Sequence, residues 1–225
     1  MPASKIKAVF FDAGGTLLRP ARSIGETYAE IARHYGQRWE PAALGEGFKA
    51  AFKRRRPRPD AEVATNGDER AWWRLVVEDT LTAVERPESF PFDHYFEELY
   101  HVYARSELWR VYPEVGPVLE TLRGRGLRLA VLSNWDWRLR PLLEGLELAP
   151  FFEAVLISGE HGAEKPSPKL YAAALAQLGL EPHEALMVGD DPLNDYWAPQ
   201  QAGWHSLLVE RPKQDLGAVL ELFRI

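Results

Sequence analysis

Side chains that could act together on a substrate occur at separate places along the chain, each next to an apolar stretch or a turn. A carboxylate ends the first apolar stretch, VFFD, and two glycines follow it closely. A hydroxyl and an amide end a second stretch, a lysine stands in the turn KPSP, and two carboxylates end a further stretch. The residues are Asp12, Ser133, Asn134, Lys165, Asp190 and Asp191. They supply a nucleophile, hydrogen-bond donors, a fixed cation and additional carboxylates.

These residue types suit chemistry on a phosphoryl group. Aspartate is a covalent nucleophile in some enzymes, and Asp12 could attack phosphorus as a carboxylate. The chain has no cysteine, and its six histidines form no metal-binding pattern. Clustered carboxylates in such a chain favour Mg²⁺, which binds one or two carboxylates, waters and substrate phosphate. Gly14 and Gly15 would let the backbone turn sharply and approach a ligand without a clash from a Cβ atom.

Five short apolar stretches, rich in β-branched and aromatic residues, are predicted to be strands buried on both faces. They are residues 7–11, 127–133, 152–158, 184–190 and 205–210. Segments of helical periodicity alternate with the later strands, at residues 115–126, 137–148, 167–180 and 193–203. This alternation predicts an α/β fold with a doubly wound parallel sheet. Ligands of such sheets bind beyond the carboxyl ends of the strands, where Asp12, Ser133 and Asp190 stand.

Residues 19–108 interrupt this alternation. They carry amphipathic helical patterns such as IGETYAEIARHYG and no convincing strand. We therefore expect an inserted helical cap at residues 19–108 and an α/β core formed by residues 1–18 and 109–225.

Composition narrows the classes of partner. The 225 residues carry a net charge of −6 and are 46% hydrophobic, which fits a globular protein and argues against broad contacts to nucleic acid. No stretch approaches the roughly 20 apolar residues of a membrane span, and the start of the chain does not resemble a secretory signal. We expect a cytoplasmic protein with a small-molecule partner and no nucleic-acid or membrane partner. Monomer and homodimer both remain open.

Four short motifs, in this order, resemble those of a known family. They are DAGGTL at 12–17, LSN at 132–134, KPSP at 165–168 and GDDPLND at 189–195. Together they resemble the haloacid dehalogenase-like (HAD) hydrolase superfamily, whose helical cap matches the position of the insertion. The resemblance implies a Rossmann-like core and a Mg²⁺-dependent phosphatase of a small phosphorylated metabolite.

The resemblance also implies a nucleophile and a metal site. Asp12 would attack the substrate and bind Mg²⁺, with Asp190 and the backbone carbonyl of Gly14 as further ligands. Asp195 would organise either the outer shell of the metal or Lys165. Asp191 stands at a helix start, where the helix dipole already explains a carboxylate.

Residues from three motifs would bind the phosphoryl group. They are Gly15, Thr16, Ser133, Asn134 and Lys165. Ser133 would donate a hydrogen bond to the group with help from Asn134, and Lys165 would hold the charges of the nucleophile and the phosphoryl group together. Thr16 would support the loop.

Gly14 is where the chain departs from the family pattern. Most phosphatases of the family have a second aspartate at this position, which protonates the leaving group and later activates water. General acid–base catalysis contributes about 10² to 10⁴ in rate, so its loss predicts a slow enzyme.

Three other functions stay open. A 2-haloacid dehalogenase would use the same aspartate without metal; Tyr171 suits it, whereas Asp190 and the missing aromatic residue two positions after the nucleophile oppose it. A phosphonatase-like enzyme would need a cap lysine, and Lys49 and Lys53 are the candidates. A non-catalytic binding protein would keep the fold and the metal site without turnover.

Overall fold

A five-stranded parallel sheet forms the centre of the molecule. In the computed structural model, which describes residues 5–55 and 66–223, its strands are β1 (Ala8–Phe11), β4 (Arg128–Ser133), β5 (Ala154–Ile157), β6 (Ala185–Gly189) and β7 (His205–Leu208). Their order is β5-β4-β1-β6-β7. The chain runs outwards from the central β1 first to one side and then to the other, which confirms the doubly wound α/β fold. Each strand lies within one of the predicted apolar stretches.

Among the described residues, four α-helices lie between Pro20 and Trp109, and we call them the helical insertion. They are α1 (Ile24–His34), α2 (Pro41–Arg55), α3 (Asn66–Thr80) and α4 (Phe92–Val102). A short antiparallel ribbon joins the insertion to the sheet domain: β2 (Leu18–Pro20) pairs with β3 (Trp109–Val111). The expectation of no strand within residues 19–108 is therefore wrong at its first two residues. A three-residue strand that contains proline has no readable alternation, and its partner lies far away in the chain.

The predicted domain boundary between residues 18 and 19 falls inside β2. β2 and β3 thus form one continuous piece of backbone structure at the point where the chain leaves and re-enters the sheet domain. Main-chain pairing such as Leu18 with Val111 fixes the two crossing points side by side.

The remaining helices cover the sheet. They are α5 (Val115–Gly124), α6 (Leu139–Gly145), α7 (Ser158–His161), α8 (Pro168–Leu178), α9 (Ala198–Gln201) and α10 (Ala218–Leu222). The helix predicted at 193–203 is split into a π-helical turn, Pro192–Trp197, and α9. The side chain of Asp191 caps this turn by accepting hydrogen bonds from the N–H groups of Leu193 (3.0 Å) and Asn194 (2.9 Å).

Two hydrophobic clusters, one on each face of the sheet, explain why β1 is apolar throughout. Val9 and Phe11 join the cluster that contains α5 and α6, whereas Ala8 and Phe10 join the cluster under α8. All four side chains are fully buried. Burial of a large apolar side chain contributes about 1.5–3 kcal/mol, so the strand that carries Asp12 is held from both faces.

The helical insertion has a hydrophobic cluster of its own. The ring of Tyr95 lies at its centre, and its hydroxyl donates to the carbonyl of Tyr28 (3.1 Å). Helix α1 begins with a capping box, in which Ser23 and Glu26 satisfy each other's backbone N–H groups. Among the described residues, no helix combines the length and the apolar character needed to cross a bilayer.

Candidate active site

Asp12 follows β1 directly and lies at the carboxyl end of the sheet. Its backbone N–H donates to the carbonyl of Val188 (2.9 Å), which continues the pairing with β6. The hydroxyl of Ser133, the last residue of β4, donates to Asp12 Oδ1 (2.9 Å), and Lys165 Nζ donates to the same oxygen (2.8 Å). Both donors converge on Oδ1 rather than on Oδ2.

Lys165 bridges two carboxylates in the interior. Its Nζ lies 2.8 Å from Asp12 Oδ1 and 2.6 Å from Asp195 Oδ1, and its side chain is only 2% exposed. Burial alone would lower the pKa of Lys165, but the negative charges of Asp12 and Asp195 and their hydrogen bonds raise it above its ordinary value. The lysine is therefore a permanent cation beside Asp12.

Asn134 positions Lys165 rather than facing open space. Its Nδ2 donates to the carbonyl of Lys165 (2.8 Å), and its Oδ1 accepts from the N–H of the same residue (2.7 Å). Both ends of the amide are thus engaged with one peptide segment. This geometry fixes the lysine in register with Ser133.

Asp195 is almost fully buried under the same lysine. Its second oxygen accepts from the N–H of Asp191 (3.0 Å). Burial raises the pKa of Asp195 to about 7, although the charge of Lys165 counteracts this effect. Because both of its oxygens have protein donors, the carboxylate is built to hold Lys165 in place.

Asp190 lies opposite Asp12 at the end of β6. The hydroxyl of Thr16 donates to Asp190 Oδ1 (3.0 Å). Burial, followed by the negative charge of Asp12, raises the pKa of Asp190 above its ordinary value. A cation bound beside Asp190 would offset the negative charge of Asp12 and favour the ionised form of Asp190.

The tight approach of Asp190 explains the glycine at position 15. Gly15 has φ +82°, and a Cβ atom there would lie 2.4 Å from Asp190 Oδ2. Neither the backbone conformation nor the space admits a larger residue. Gly14 has no such conformational demand and is half-buried in the same loop.

The donor set fits a magnesium ion. Among the described residues, Asp12, Asp190 and Asp195 each offer an oxygen, and these atoms all lie within 4.8 Å of one another. Carboxylate oxygens without thiolate or imidazole partners are the ligands that Mg²⁺ prefers. Asp12 and Asp190 are the better pair of ligands, because Asp195 already has its two donors.

Trp135, which none of the four motifs includes, fills the space beside Gly14. A Cβ atom at position 14 would lie 3.1 Å from the six-membered ring of this tryptophan. Its backbone N–H donates to the hydroxyl of Ser158 (3.1 Å). The residue directly follows the LSN motif, and that adjacency was the available signal.

Glu69 of α3 brings a carboxylate from the helical insertion to the same edge of the sheet. The hydroxyl of Ser158 lies 3.1 Å from Glu69 Oε1. Oε2 is buried and has no hydrogen-bond partner among the residues that the structure describes. Burial, followed by the charge of Asp136, raises the pKa of Glu69 to about 8. No local motif distinguishes Glu69 from the other acidic residues of the insertion.

The comparisons with known proteins agree with this arrangement. A protein-family model described as haloacid dehalogenase-like hydrolase matches residues 6–203. Haloacid dehalogenase-like hydrolase domain-containing protein 3 of Homo sapiens is 36% identical over 210 residues, which are 93% of this chain and 84% of that protein. Phosphoserine phosphatase of Thermus thermophilus is 45% identical over 102 residues, which are 45% of this chain and 41% of that protein.

A solved structure extends the agreement to the fold. The HAD phosphatase from Thermococcus onnurineus superposes with a TM-score of 0.65 at 27% identity and covers 92% of this chain and 87% of its own. The family match spans the strands that carry Asp12, Ser133 and Asp190 and the turn that carries Lys165. The chain belongs to the haloacid dehalogenase-like hydrolase family.

Proposed function

We propose that the protein is a Mg²⁺-dependent phosphatase that hydrolyses a small phosphorylated metabolite through an aspartyl-phosphate on Asp12. The observation that carries this proposal is the convergence of Ser133 and Lys165 on one oxygen of Asp12 (2.9 and 2.8 Å), with Asp190 close by. The phosphatases among the relatives and solved structures support the same reaction class.

The residues suggest a two-step reaction. Asp12 Oδ2 forms a bond to phosphorus while the bond from phosphorus to the leaving oxygen breaks. Lys165 offsets the negative charge that gathers at the nucleophile and the phosphoryl group, and Ser133 donates a hydrogen bond there. Water then attacks phosphorus, and the bond from phosphorus to Asp12 Oδ2 breaks. Phosphate leaves, solvent takes the proton that the water loses, and the carboxylate is restored.

Mg²⁺ held by Asp12, Asp190 and the Gly14 carbonyl would neutralise phosphoryl oxygens. Asn134 and Asp195 keep Lys165 aligned through their contacts with its main chain and its Nζ. Gly15 and Thr16 hold the loop against Asp190. At position 14 no carboxyl group supplies the proton for the leaving oxygen, so we expect slow turnover in which solvent supplies it.

We also propose the helical insertion at residues 19–108 as the cap that selects the substrate. Glu69 and Tyr100 support this role, because both reach the carboxyl edge of the sheet through contacts with Ser158 and Asp136. Closure of such an element excludes water from the reaction.

Release of phosphate from a broad panel of phosphorylated metabolites tests the proposal. We expect slow release that requires Mg²⁺, stops with a chelator and is absent in Asp12→Asn. A folded wild-type protein that releases no phosphate from any compound, with or without Mg²⁺, contradicts the proposal. A fluoroberyllate complex on Asp12 without turnover would then favour a non-catalytic binding protein.

The dehalogenase alternative receives less support from the site. Tyr171, which suited it, is buried, and its hydroxyl donates to the backbone carbonyl of Asn194 (2.5 Å). Asp190 lies where a metal-free enzyme needs no carboxylate. Release of chloride from 2-chloropropionate without metal would reverse this ranking. The phosphonatase-like alternative gains nothing from Lys49, which is exposed and pairs with Glu46 on α2.

A further inference from the structure

Arg211 follows β7 and reaches back to the loop that carries the nucleophile. Its Nε donates to the carbonyl of Gly15 (3.2 Å), and its Nη2 donates to the carbonyl of Thr16 (3.1 Å). The side chain is only 19% exposed. The two ends of one guanidinium thus hold two consecutive peptide groups of the loop.

The segment that returns from the helical insertion also contacts this guanidinium, through Tyr112 and Glu114. The guanidinium stacks over the ring of Tyr112 at 3.6 Å from the ring centre and forms an ion pair with Glu114. The N–H of Tyr112 donates to the carbonyl of Leu17 (3.1 Å), so this segment is also tied to the loop directly. Arg211 therefore joins three segments that are distant in the chain.

The peptide groups that Arg211 holds also support Asp190 from the opposite side. The hydroxyl of Thr16 donates to Asp190 Oδ1, and Gly15 packs so closely that a Cβ atom would overlap the carboxylate. A rotation of the Gly15 or Thr16 peptide group would therefore move Asp190 relative to Asp12.

We propose that Arg211 is a positioning residue for the carboxylate cluster: by fixing the carbonyls of Gly15 and Thr16 it sets the placement of Asp190 against Asp12, and so the affinity of the cluster for a divalent cation. This inference rests on the metal site of the proposed function. Lysine cannot replace the arginine, because one ammonium group cannot hold two adjacent carbonyls, stack on Tyr112 and pair with Glu114 at once.

Thermal unfolding of the full chain, titrated with Mg²⁺, tests this inference without relying on activity. A ligand that binds the folded state raises the unfolding temperature according to its dissociation constant. Mutation of residues that orient metal ligands typically lowers metal affinity by 10- to 100-fold. We therefore expect Arg211→Lys to need about tenfold more Mg²⁺ for the same rise in unfolding temperature.

Two matched variants separate positioning from general destabilisation. Arg128→Lys also removes an arginine that holds two groups, the carboxylate of Glu153 and the carbonyl of Leu178 (2.6 Å). Arg128 is the first residue of β4, at the end of the strand away from Ser133. Glu114→Gln removes the ion pair with Arg211 and leaves the hydrogen bonds from Arg211 to the carbonyls of Gly15 and Thr16. We expect both to bind Mg²⁺ as the wild type does.

The outcomes are distinct. Wild-type affinity in Arg211→Lys, or an equal loss of affinity in Arg128→Lys, overturns the role of Arg211. If Glu114→Gln alone reproduces the loss, the ion pair rather than the two hydrogen bonds to the loop sets the site, and the inference is wrong. If Arg211→Lys does not fold, a loss of affinity confined to Thr16→Val supports the same route, and unchanged affinity in that variant contradicts it. No shift with Mg²⁺ in the wild type overturns the metal site itself.

Discussion

At position 14 this site has a glycine where an aspartate could act as the general acid and base. The structure shows which residue lies beside Gly14. The ring of Trp135 stands 3.1 Å from the position of a Cβ atom at residue 14. The backbone at Gly14 does not have a positive φ, so the conformation itself would admit another residue. The obstacle to an aspartate is therefore the tryptophan ring, and the two residues must be considered together.

We predict that Gly14→Asp alone changes the rate of phosphate release little, because the ring hinders the new side chain. Gly14→Asp combined with Trp135→Leu, which makes room for it, is expected to raise kcat by about 10². Steady-state kinetics with saturating Mg²⁺ measures both. Trp135→Leu alone is the control and should show no gain. A full gain in the single variant Gly14→Asp would show that the ring yields readily.

Lys165 is the residue whose loss should affect both stability and chemistry. Without its charge, the buried carboxyl group of Asp195 becomes easier to protonate, because the charge and the hydrogen bond of Lys165 lower its pKa. Removal of one partner from a buried ion pair destabilises a fold by about 3–5 kcal/mol. The pKa of Asp195, already about 7 in the folded state, then rises further above its unfolded value, so the loss of stability grows as pH rises.

We therefore predict that Lys165→Gln is inactive and is destabilised more at pH 8 than at pH 5. Denaturant unfolding at the two pH values gives the difference in the free energy of unfolding. Lys169→Gln, at an exposed position of α8, is the matched control. An equal loss of stability at both pH values would mean that the charge of Lys165 does not affect the pKa of Asp195.

At the scale of elements, α3 and α7 meet through Glu69 and Ser158, and this contact is sensitive to protonation. Burial raises the pKa of Glu69 to about 8, whereas an unfolded glutamate titrates near 4.5. The folded state therefore binds more protons than the unfolded state between these values. Stability from this group is highest below pH 4.5 and falls as pH rises towards 8.

We predict that Glu69→Gln, which mimics the protonated side chain, is more stable than the wild type at pH 8 and nearly equal to it at pH 5. Unfolding temperatures measured across this pH interval test the difference. Substitution of the exposed Glu88 by glutamine should leave the pH dependence unchanged. A constant difference at all pH values would show that Glu69 is ionised in the folded protein.

The sequence predicts elements well where one stretch of chain decides them. The strands of the sheet are recognisable because burial on both faces requires near-continuous apolar residues, as in Val9 and Phe11. The β2–β3 ribbon is not recognisable, since it pairs only three residues on each side, and the whole insertion separates them in the chain. For the same reason the motifs predict which residues gather near Asp12, whereas Trp135, Glu69 and Arg211 act through contacts that local patterns do not encode.

At the scale of the whole molecule, a buried ion pair of the sheet domain contacts the helical insertion through Tyr100. Arg138 forms a fork to Asp136, with Nε to Oδ1 at 2.8 Å and Nη2 to Oδ2 at 2.6 Å. Tyr100, near the end of α4, meets both: its carbonyl accepts from Arg138 Nη1 (3.1 Å), and its hydroxyl donates to Asp136 Oδ2 (3.2 Å). The insertion has its own hydrophobic cluster, so this polar contact can fail without unfolding either part.

We predict that Arg138→Met releases the helical insertion while the sheet remains intact. The substitution leaves Asp136 buried without its cation, which costs about 3–5 kcal/mol, and it removes the donor to the Tyr100 carbonyl. Hydrogen exchange should accelerate in α1–α4 and stay slow in β1, β4 and β6. Arg140→Met is the matched control, because Arg140 forms hydrogen bonds to Glu160 on α7 and to the carbonyl of Val155 on β5, both in the sheet domain. Uniformly faster exchange across both parts would mean that Arg138 supports the fold as a whole, and that the insertion and the sheet open as one unit.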